Sequence, residues 1–480
     1  MCWTPKKRNP IIANMRSRHL DSLTHDAVHG YLPFSSSSDD DGEVTERDLV
    51  DHPWVQRLRH IHQLQTAWWV FPTAEHTRFQ HVLGAMHLAG RAAESLYPTL
   101  REVCPDAPSC GYVTSLLRMA ALLHDVGHGP FGHFFDEHFL RQFDLTHEIL
   151  GAQIIEDELG DALRSLRRNP TSALEADEVL DPSQIAWLIQ RPAPDETRGR
   201  WPLWLSHLRA LLSGIYTVDN MDFVLRDAYM SGYSQRSIDV DRLLHYSFFS
   251  PAGLTIHDRG IDTLVRFMGV RAELFRTVYF HRTVRAIDLT LKDLFEASRA
   301  LLFPGDPREH LTEYQHFTDA SLFTDVRRWK SSSDIPKRDL GARWENLLGR
   351  QLVWKMACQL NLVFAESDRE SASIFSDSEL VVQKVRQQLA ASLADVPLRI
   401  DIARHIHRPH TRGPASGQNF LYDSSQDVVR PLTANELFAR LPVSYRICRA
   451  YVQDRAHSRP VAAALESLTR GPGDDDLTNM

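Results

Sequence analysis

Several things are scarce in this 480-residue sequence, and each scarcity narrows what it can be. No apolar run reaches the roughly 18 residues that a membrane-spanning helix needs. The opening MCWTPKKRNPIIANMRSRHL holds no apolar stretch of the ~7–15 residues that mark a secretory signal, so it reads as an untethered tail, with Met15 a candidate start. Cysteine is sparse: Cys2, Cys104, Cys110, Cys358 and Cys448 are odd in number, widely spaced and without a CxxC. That argues against a disulfide framework and for a reducing cytoplasm. CPDAPSC (104–110) reads as a proline-rich loop with two free thiols rather than a metal knuckle. Positive charge is not in excess, with 54 Lys and Arg against 62 Asp and Glu and a net charge of −8. A broad nucleic-acid surface, which works by neutralising phosphates, is therefore not expected. Gly-rich phosphate loops and internal repeats are also missing.

What is present is an ordinary globular composition, 43% hydrophobic and 24% charged, long enough for two to four domains or one large helical domain with an added lobe. HDAVHGYLPF and EVTERDLV read as an extended pair around a polar loop at 35–42. From about Pro53 to Ala300 the pattern is mostly helical. In YVTSLLRMAALLHD, Val113, Leu116, Leu117, Ala120 and Ala121 repeat at helical spacing, and His124 extends that face toward the core. Gly127, Gly129 and Pro130 then end the helix. QRPAPDETRGRWP (190–202) is a polar connection, and LRIDIARHIH and NFLYDSS look like short strands. The expected fold is mainly α: a tail at 1–20, a helical-bundle core at 21–300, a mostly helical C-terminal lobe with a few short strands at 301–470, and an acidic tail at 471–480.

The segment LLHDVGHGPFGHFFDEH (122–138) places four histidines, His124, His128, His133 and His138, in an otherwise mainly apolar run. Three His-Asp doublets occur, where about two are expected by chance, so the doublet is a weak signal. Only His124-Asp125 ends an apolar helix and enters a histidine-dense turn. His81, in EHTRFQHVLGAMHLAG, shares a helical side with Ala85 and Leu88 and so faces inward. In YTVDNMDFVLRDAYMSG (216–232), Asp219, Phe223 and Arg226 lie on one side with Asp227 beside them, and Val218, Met221 and Leu225 lie opposite. A solvated stripe would explain that helix alone, and hydrogen-bonded core histidines would explain any one imidazole. Together, His81, His124, Asp125 and Asp219 form a mixed N/O ligand set for one divalent ion, with Mn, Fe, Zn, Ni and Mg all compatible. Burying so much polarity without a metal or partner is too costly.

RFQH (78–81), LLHDVGHGPFGH (122–133) and VDNMDFVLRDAYMSG (218–232), in that order, resemble the H…HD…D signature of the HD-domain metal-dependent phosphohydrolases. The likeness is closest to the deoxynucleoside triphosphate triphosphohydrolase branch. DAVHGYL, VQRLRHIHQLQTAWWVFP and FHRTVRAIDL resemble the same group, and LFARLPVSYRICRAYVQ does so more weakly. The resemblance implies that His81, His124, Asp125 and Asp219 hold the metal. It implies that His128, His133, Asp136 and His147 handle protons near the scissile phosphate, with His128 the expected donor to the departing 5′-oxygen and Asp136 orienting His133. It implies that Arg78 contacts phosphate, that Gln63 and Leu64 cradle sugar and base, and that Asp227 lies near the sugar 3′-hydroxyl.

Two positions depart from that pattern. Asn220 stands where the group has a basic residue, and Phe223 where it has tyrosine; Arg226, Arg282 or Arg285 are the candidate replacements for the missing charge. Asp51, Gln56 and Arg59 match residues that hold an activating nucleotide between subunits in regulated members, although His25 departs from that site. The resemblance also implies a homo-oligomer, a dimer or tetramer, with a contact near PWVQRLRHIHQLQ. Trp54, Leu58, Ile61, Trp68, Trp69 and Phe71, with Arg57 and Arg59, suit such a contact, and core packing is their rival use. The expected reaction is hydrolysis of a dNTP to deoxynucleoside and triphosphate. The alternatives are an HD phosphohydrolase acting on another nucleotide or phosphomonoester, and a nucleotide-binding regulatory module with little turnover.

Overall fold

The helix Arg78–Val103 begins where Thr77 and Gln80 close a capping box, the Gln80 side-chain oxygen accepting from both the Thr77 amide and hydroxyl. It packs along Cys110–Leu123, which is opened by the Ser109 hydroxyl accepting from the Tyr112 amide at 3.1 Å. That second helix is buried on all sides from Gly111 to Leu123, not on one stripe as its spacing alone suggests. Its one charged residue, Arg118, forks onto the buried Glu46 at 2.6 and 2.7 Å, which is what permits a charge there. A third helix, Val218–Met230, capped by Thr217, lies across Arg78–Val103. These three helices supply most of the candidate site.

This computed structural model describes residues 21–37, 43–191, 201–235, 237–364, 373–406, 419–442 and 444–469. The expected tails at 1–20 and 471–480, Cys2, and most of the 190–202 connection lie outside the described residues. Among the described residues the chain is mainly α-helical, as expected, with three small sheets. No helix among them is long and apolar enough to cross a membrane.

Strands β1 (Ser22–Asp26) and β2 (Gly30–Phe34) form an antiparallel hairpin. Its turn is tied by Asp26, whose Oδ1 accepts from the Val28 and His29 amides. The expected extended partner at 43–50 is instead the helix Glu46–Val50, because Thr45 and Asp48 form a capping box. Strands β3 (Ser247–Ser250) and β4 (Gly253–His257) form a hairpin inside the stretch read as helical. Further along are β5 (Lys355–Phe364), β6 (Leu398–Ile406), β7 (Phe420–Asp423), β8 (Val428–Pro431) and β9 (Ser444–Val452). The chain returns through β7, which pairs in parallel with β4, so one sheet has the order β3-β4-β7-β8. The other runs β5-β9-β6 and is antiparallel.

The main apolar core does not stop at residue 300. It continues through Tyr314, Leu322, Val326 and Trp344 to Phe438. A second core, including Val381, Val385, Leu398, Ile400, Cys448 and Leu465, lies on one face of the β5-β9-β6 sheet. From the other face Asp401 and Tyr451 reach the helix Arg282–Leu302. Cys104, Cys110, Cys358 and Cys448 are all free thiols.

His87, on the long helix, has its ring 5.6 Å from that of His29. Burial first, then His29, Arg91 and Arg118, push it down to about 4 from the ordinary 6.5. The unfolded chain takes up this proton near 6.5 and the folded chain does not until about 4. The contribution to stability is therefore full above 6.5 and is lost as pH falls through that window. Thermal unfolding in steps from neutral to about pH 4.5 should show Tm dropping less steeply in His87→Gln than in the parent. Parallel slopes would remove His87 from the acid response.

Candidate functional site

His81 sits one turn into its helix with its ring buried. Its Nδ1 meets Asp222 Oδ2 at 2.8 Å, and its Nε2 lies 3.1 Å from Asp219 Oδ1. His124 caps the buried helix, its Nδ1 donating to the Ala121 carbonyl at 2.8 Å. The two Nε2 atoms are 3.2 Å apart. With both Nδ1 atoms hydrogen-bonded, the Nε2 atoms are left as lone pairs pointing at each other and at a carboxylate. That arrangement is repulsive unless a cation or a proton lies between, and it fits a metal bound by neutral imidazoles held from behind. His81, His124 and Asp219 each bring one ligand atom within 4.8 Å of the others. Asp125 adjoins them rather than completing the group. Its Oδ1 is 3.4 Å from His124 Nε2, while its Oδ2 accepts from Arg78 at 2.7 Å.

A second group, His128, His133, Asp136 and His147, also gathers within 4.8 Å, where only one ligand set had been expected. The turn before it carries Phe131 at φ 62° and Gly132 at φ 56°. A Cβ on Gly132 would lie 2.2 Å from an Arg78 nitrogen, so glycine is needed there for both conformation and space. His128 and His147 stack at 3.6 Å, and Asp136 accepts from His147 Nδ1. Burial opposes charge on His147, but Asp136 overrides it and raises the pKa. Burial, then Arg78 and His147, push His128 down to about 4. His128 is therefore neutral near pH 7 and fully buried; its Nε2 lies 3.3 Å from Asp125 Oδ1 and its Nδ1 3.7 Å from Asp136 Oδ1, with no well-aligned hydrogen bond at either nitrogen. His128, the expected proton donor, is thus the most enclosed imidazole of the group. His133, by contrast, has a side chain 65% exposed, with Nδ1 turned 3.4 Å from Asp136 Oδ2. His138 is half-buried against Phe134.

The remaining expected residues divide. Leu64 is buried, and Gln63 is half-buried with an Oε1 that has no protein hydrogen bond. Phe223 is half-buried. Asp227 already spends both carboxylate oxygens, on His76 at 2.7 Å and on the Tyr279 hydroxyl, so it is a brace more than a free contact. Asn220 is buried. Arg226 and Arg285 do not replace the missing charge: Arg226 is bound to Asp222 and Asp26, and Arg285 to Asp401 and Asp288. Arg282 is exposed. Arg271 is the better placed cation, half-buried, with an unpartnered Nε and Asp219 among the charges acting on it.

Asp51 and Arg59 lie at the surface, Arg59 donating to Gln56 Oε1 at 2.7 Å. Trp54, Leu58 and Ile61 are core residues, and Arg57 is buried with five hydrogen bonds to the carbonyls of Val126, His128, Tyr314, Gln315 and Phe317. They are internal bracing, not contact material. Trp69 and Phe71 are partly buried against the same core. Sequence reasoning missed Asp222, His29, His76, Arg271 and Tyr279. Asp222 carries a legible signal, lying three residues after Asp219 and four before Arg226 on the same helix.

The family model for the HD domain matches residues 78–189, which span the first histidine, the doublet and the second group. The chain therefore carries an HD domain. It is 31% identical over 312 residues to the deoxynucleoside triphosphate triphosphohydrolase SAMHD1 of Gallus gallus, covering 61% of this chain and 48% of that protein. Against the human protein of the same name the identity is 28% over 308 residues, covering 60% and 47%. The uncharacterized protein YwfO of Bacillus subtilis is 27% identical over 319 residues, covering 62% and 66%. The chain thus spans about half the length of the curated vertebrate relatives it matches. A solved structure of a hypothetical protein from Aquifex aeolicus shares the fold, with a TM-score of 0.65 at 22% identity over 93% of this chain and all of that one.

This HD-domain chain should purify with one tightly bound divalent metal, lost in His124→Ala and Asp219→Ala and kept in His133→Ala. Elemental analysis decides it. Full occupancy in either of the first two variants would defeat the ligand assignment, and a second equivalent lost only in His133→Ala would assign metal to the other group. The stability loss should be large, because binding free energy of a buried metal is folding free energy.

Proposed function

We propose that the chain hydrolyses a deoxynucleoside triphosphate to deoxynucleoside and triphosphate, with a divalent metal held by His81, His124, Asp125 and Asp219. The carrying observation is the pair of imidazoles with both Nδ1 atoms engaged and both Nε2 atoms converging near Asp219. Bound there, a Mn, Fe, Zn, Ni or Mg ion supplies Lewis-acid polarisation of a phosphoryl oxygen. The names of the chicken and human relatives support the substrate class.

Arg78 and Arg271 offer positive charge to the phosphates. Gln63, Leu64 and Phe223 form the sugar and base cradle, and Asp227 braces it through His76 and Tyr279. Water adds to the α-phosphorus as the bond to the 5′-oxygen breaks, and that oxygen needs a proton. His133 is the donor in this reading. Asp136 faces its Nδ1, which leaves Nε2 for the substrate. His147 and Asp136 favour each other's charged forms against the cost of burial, and neutral His128 packs against His147 without adding charge. His133→Asn should keep the metal and lose about 10²–10⁴-fold in kcat. A variant within a few-fold of the parent would remove His133 from proton transfer.

Asn220 and Phe223 favour one second reading, hydrolysis of another phosphorylated nucleotide at the same centre. Incubating metal-analysed protein with dNTPs, rNTPs and dNMPs, with and without GTP, separates the two. Triphosphate release supports the first, and orthophosphate from a monophosphate supports the second. A regulatory module would release neither.

The reading extends to an activating nucleotide at Asp51, Gln56 and Arg59, to a homo-oligomer of dimeric or tetrameric type, and to a cytoplasmic setting suited to free thiols. A nucleotide that binds the larger assembly preferentially shifts the population toward it. Light scattering across protein concentrations, with and without GTP or dNTP, should show that shift. A strictly monomeric, fully active protein would rule out the subunit contact, and an oligomer indifferent to nucleotide would remove the activating site alone.

A further inference from the structure

Gln65 has φ of 46°, one of five described non-glycine residues in the left-handed region. A side chain there costs conformational energy that glycine would not, so something must hold it. Its Nε2 donates to Asp288 Oδ1 at 3.1 Å, and the neighbouring Thr66 hydroxyl donates to the same oxygen at 2.5 Å. Its carbonyl accepts from Trp68 Nε1 at 2.9 Å, and Trp68 stacks on His62 at 4.1 Å. The whole bend from 62 to 68 is therefore closed on itself around Gln65.

Asp288 is nearly inaccessible, and its other oxygen accepts from Arg285 at 3.1 Å. Arg285 in turn grips Asp401 on β6 through Nε at 3.1 Å and Nη2 at 2.6 Å. An unbroken line of charged hydrogen bonds thus runs from the bend to the C-terminal sheet. At its near end Gln63, two residues before Gln65, donates its amide to the His76 carbonyl at 3.1 Å. The ring of His76 bonds Asp227, and Gln63 Oε1 is left without a protein partner.

We infer that Gln65 is a positioning residue: clamped by Asp288, it sets the Gln63–Leu64 cradle, and the Arg285–Asp401 pair ties that cradle to the C-terminal sheet. The inference rests on the proposed use of Gln63 and Leu64 as the substrate cradle. Gln65 need not touch substrate. It converts a bend that would otherwise sample several conformations into one, so that binding does not have to impose order on it.

Three variants test this. Gln65→Ala keeps the strained backbone and loses the clamp. Gln65→Gly removes the strain and also loses the clamp. Asp401→Asn weakens the far end. Losing one charge-assisted hydrogen bond with its ordering should raise KM about 5–20-fold and leave kcat within about twofold. The expected pattern is that Gln65→Gly recovers the Tm lost in Gln65→Ala and does not recover KM. If Gly restores both, Gln65 serves stability alone and the inference fails. Hydrogen exchange of the free protein provides a readout that needs no substrate. Amides of residues 63–69 should exchange faster in Gln65→Ala and Gln65→Gly, and also in Asp401→Asn. Unchanged exchange in the Gln65 variants would overturn the clamp, and unchanged exchange in Asp401→Asn would overturn the link to the sheet. Should the protein release no triphosphate, the proposed reaction fails while faster exchange at 63–69 still supports the clamp.

Discussion

Asp222 is a carboxylate with no solvent exposure, and the site is organised around its charge. Burial alone would drive it to the neutral acid. Arg226 and its hydrogen bonds from His29 and His81 hold its pKa well below the usual carboxylate range instead. Each partner is fixed in return. Arg226 forks onto both oxygens at 2.9 Å and reaches on to Asp26 at 2.7 Å. His29 Nε2 sits 2.6 Å from Oδ1, tying the β1–β2 hairpin to the helix Val218–Met230. His81 gives up its Nδ1 to Oδ2, which sets the tautomer that makes its Nε2 a ligand. Gly84 belongs to the same device, because a Cβ there would lie 1.9 Å from Asp222 Oδ1.

The environments of two imidazoles in the second group, His128 and His147, push them apart. His128 is driven to neutrality and His147 is drawn toward charge, though their rings stack. Two adjacent imidazolium rings would repel, so the group keeps one of them neutral. The charge that remains faces Asp136, and His133 is left at the exposed edge with a carboxylate behind it. Separation of pKa values in neighbouring groups is how one pocket can both stabilise anions and deliver a proton.

Much of this was legible in the residues. Helical spacing put His81 and His124 inside, and the glycines of GHGPFGH marked a tight turn beneath the histidines. The signal failed where partners are distant in sequence. Asp222 meets His29 across 193 residues and Asp227 meets Tyr279 across 52, and no local period records such pairings. EVTERDLV read as the extended partner of HDAVHGYLPF across a polar loop, but the Thr45–Asp48 capping box outweighed that pattern. Trp54, Leu58 and Ile61 are the types found at interface centres and in cores alike. Their almost complete burial in the main core, beside an Arg57 enclosed by five carbonyls, resolves them as core.

Arg57 also shows why the C-terminal half belongs to the same mechanical unit as the site. Two of its five acceptors, Val126 and His128, lie in the histidine turn, and three lie between Tyr314 and Phe317. Burial lowers the pKa of this guanidinium only to about 10, so it stays charged at neutral pH. A buried charge solvated solely by carbonyl dipoles is costly unless every dipole is held in place. Asp319 repeats the logic with opposite sign, accepting from the Phe131 amide and from the His62 amide and ring. The histidine turn is thus pinned from the 314–319 segment by one cation and one anion. Its strained Phe131–Gly132 bend is held by that clamp, whose charged residues, Arg57 and Asp319, lie outside the matched HD segment.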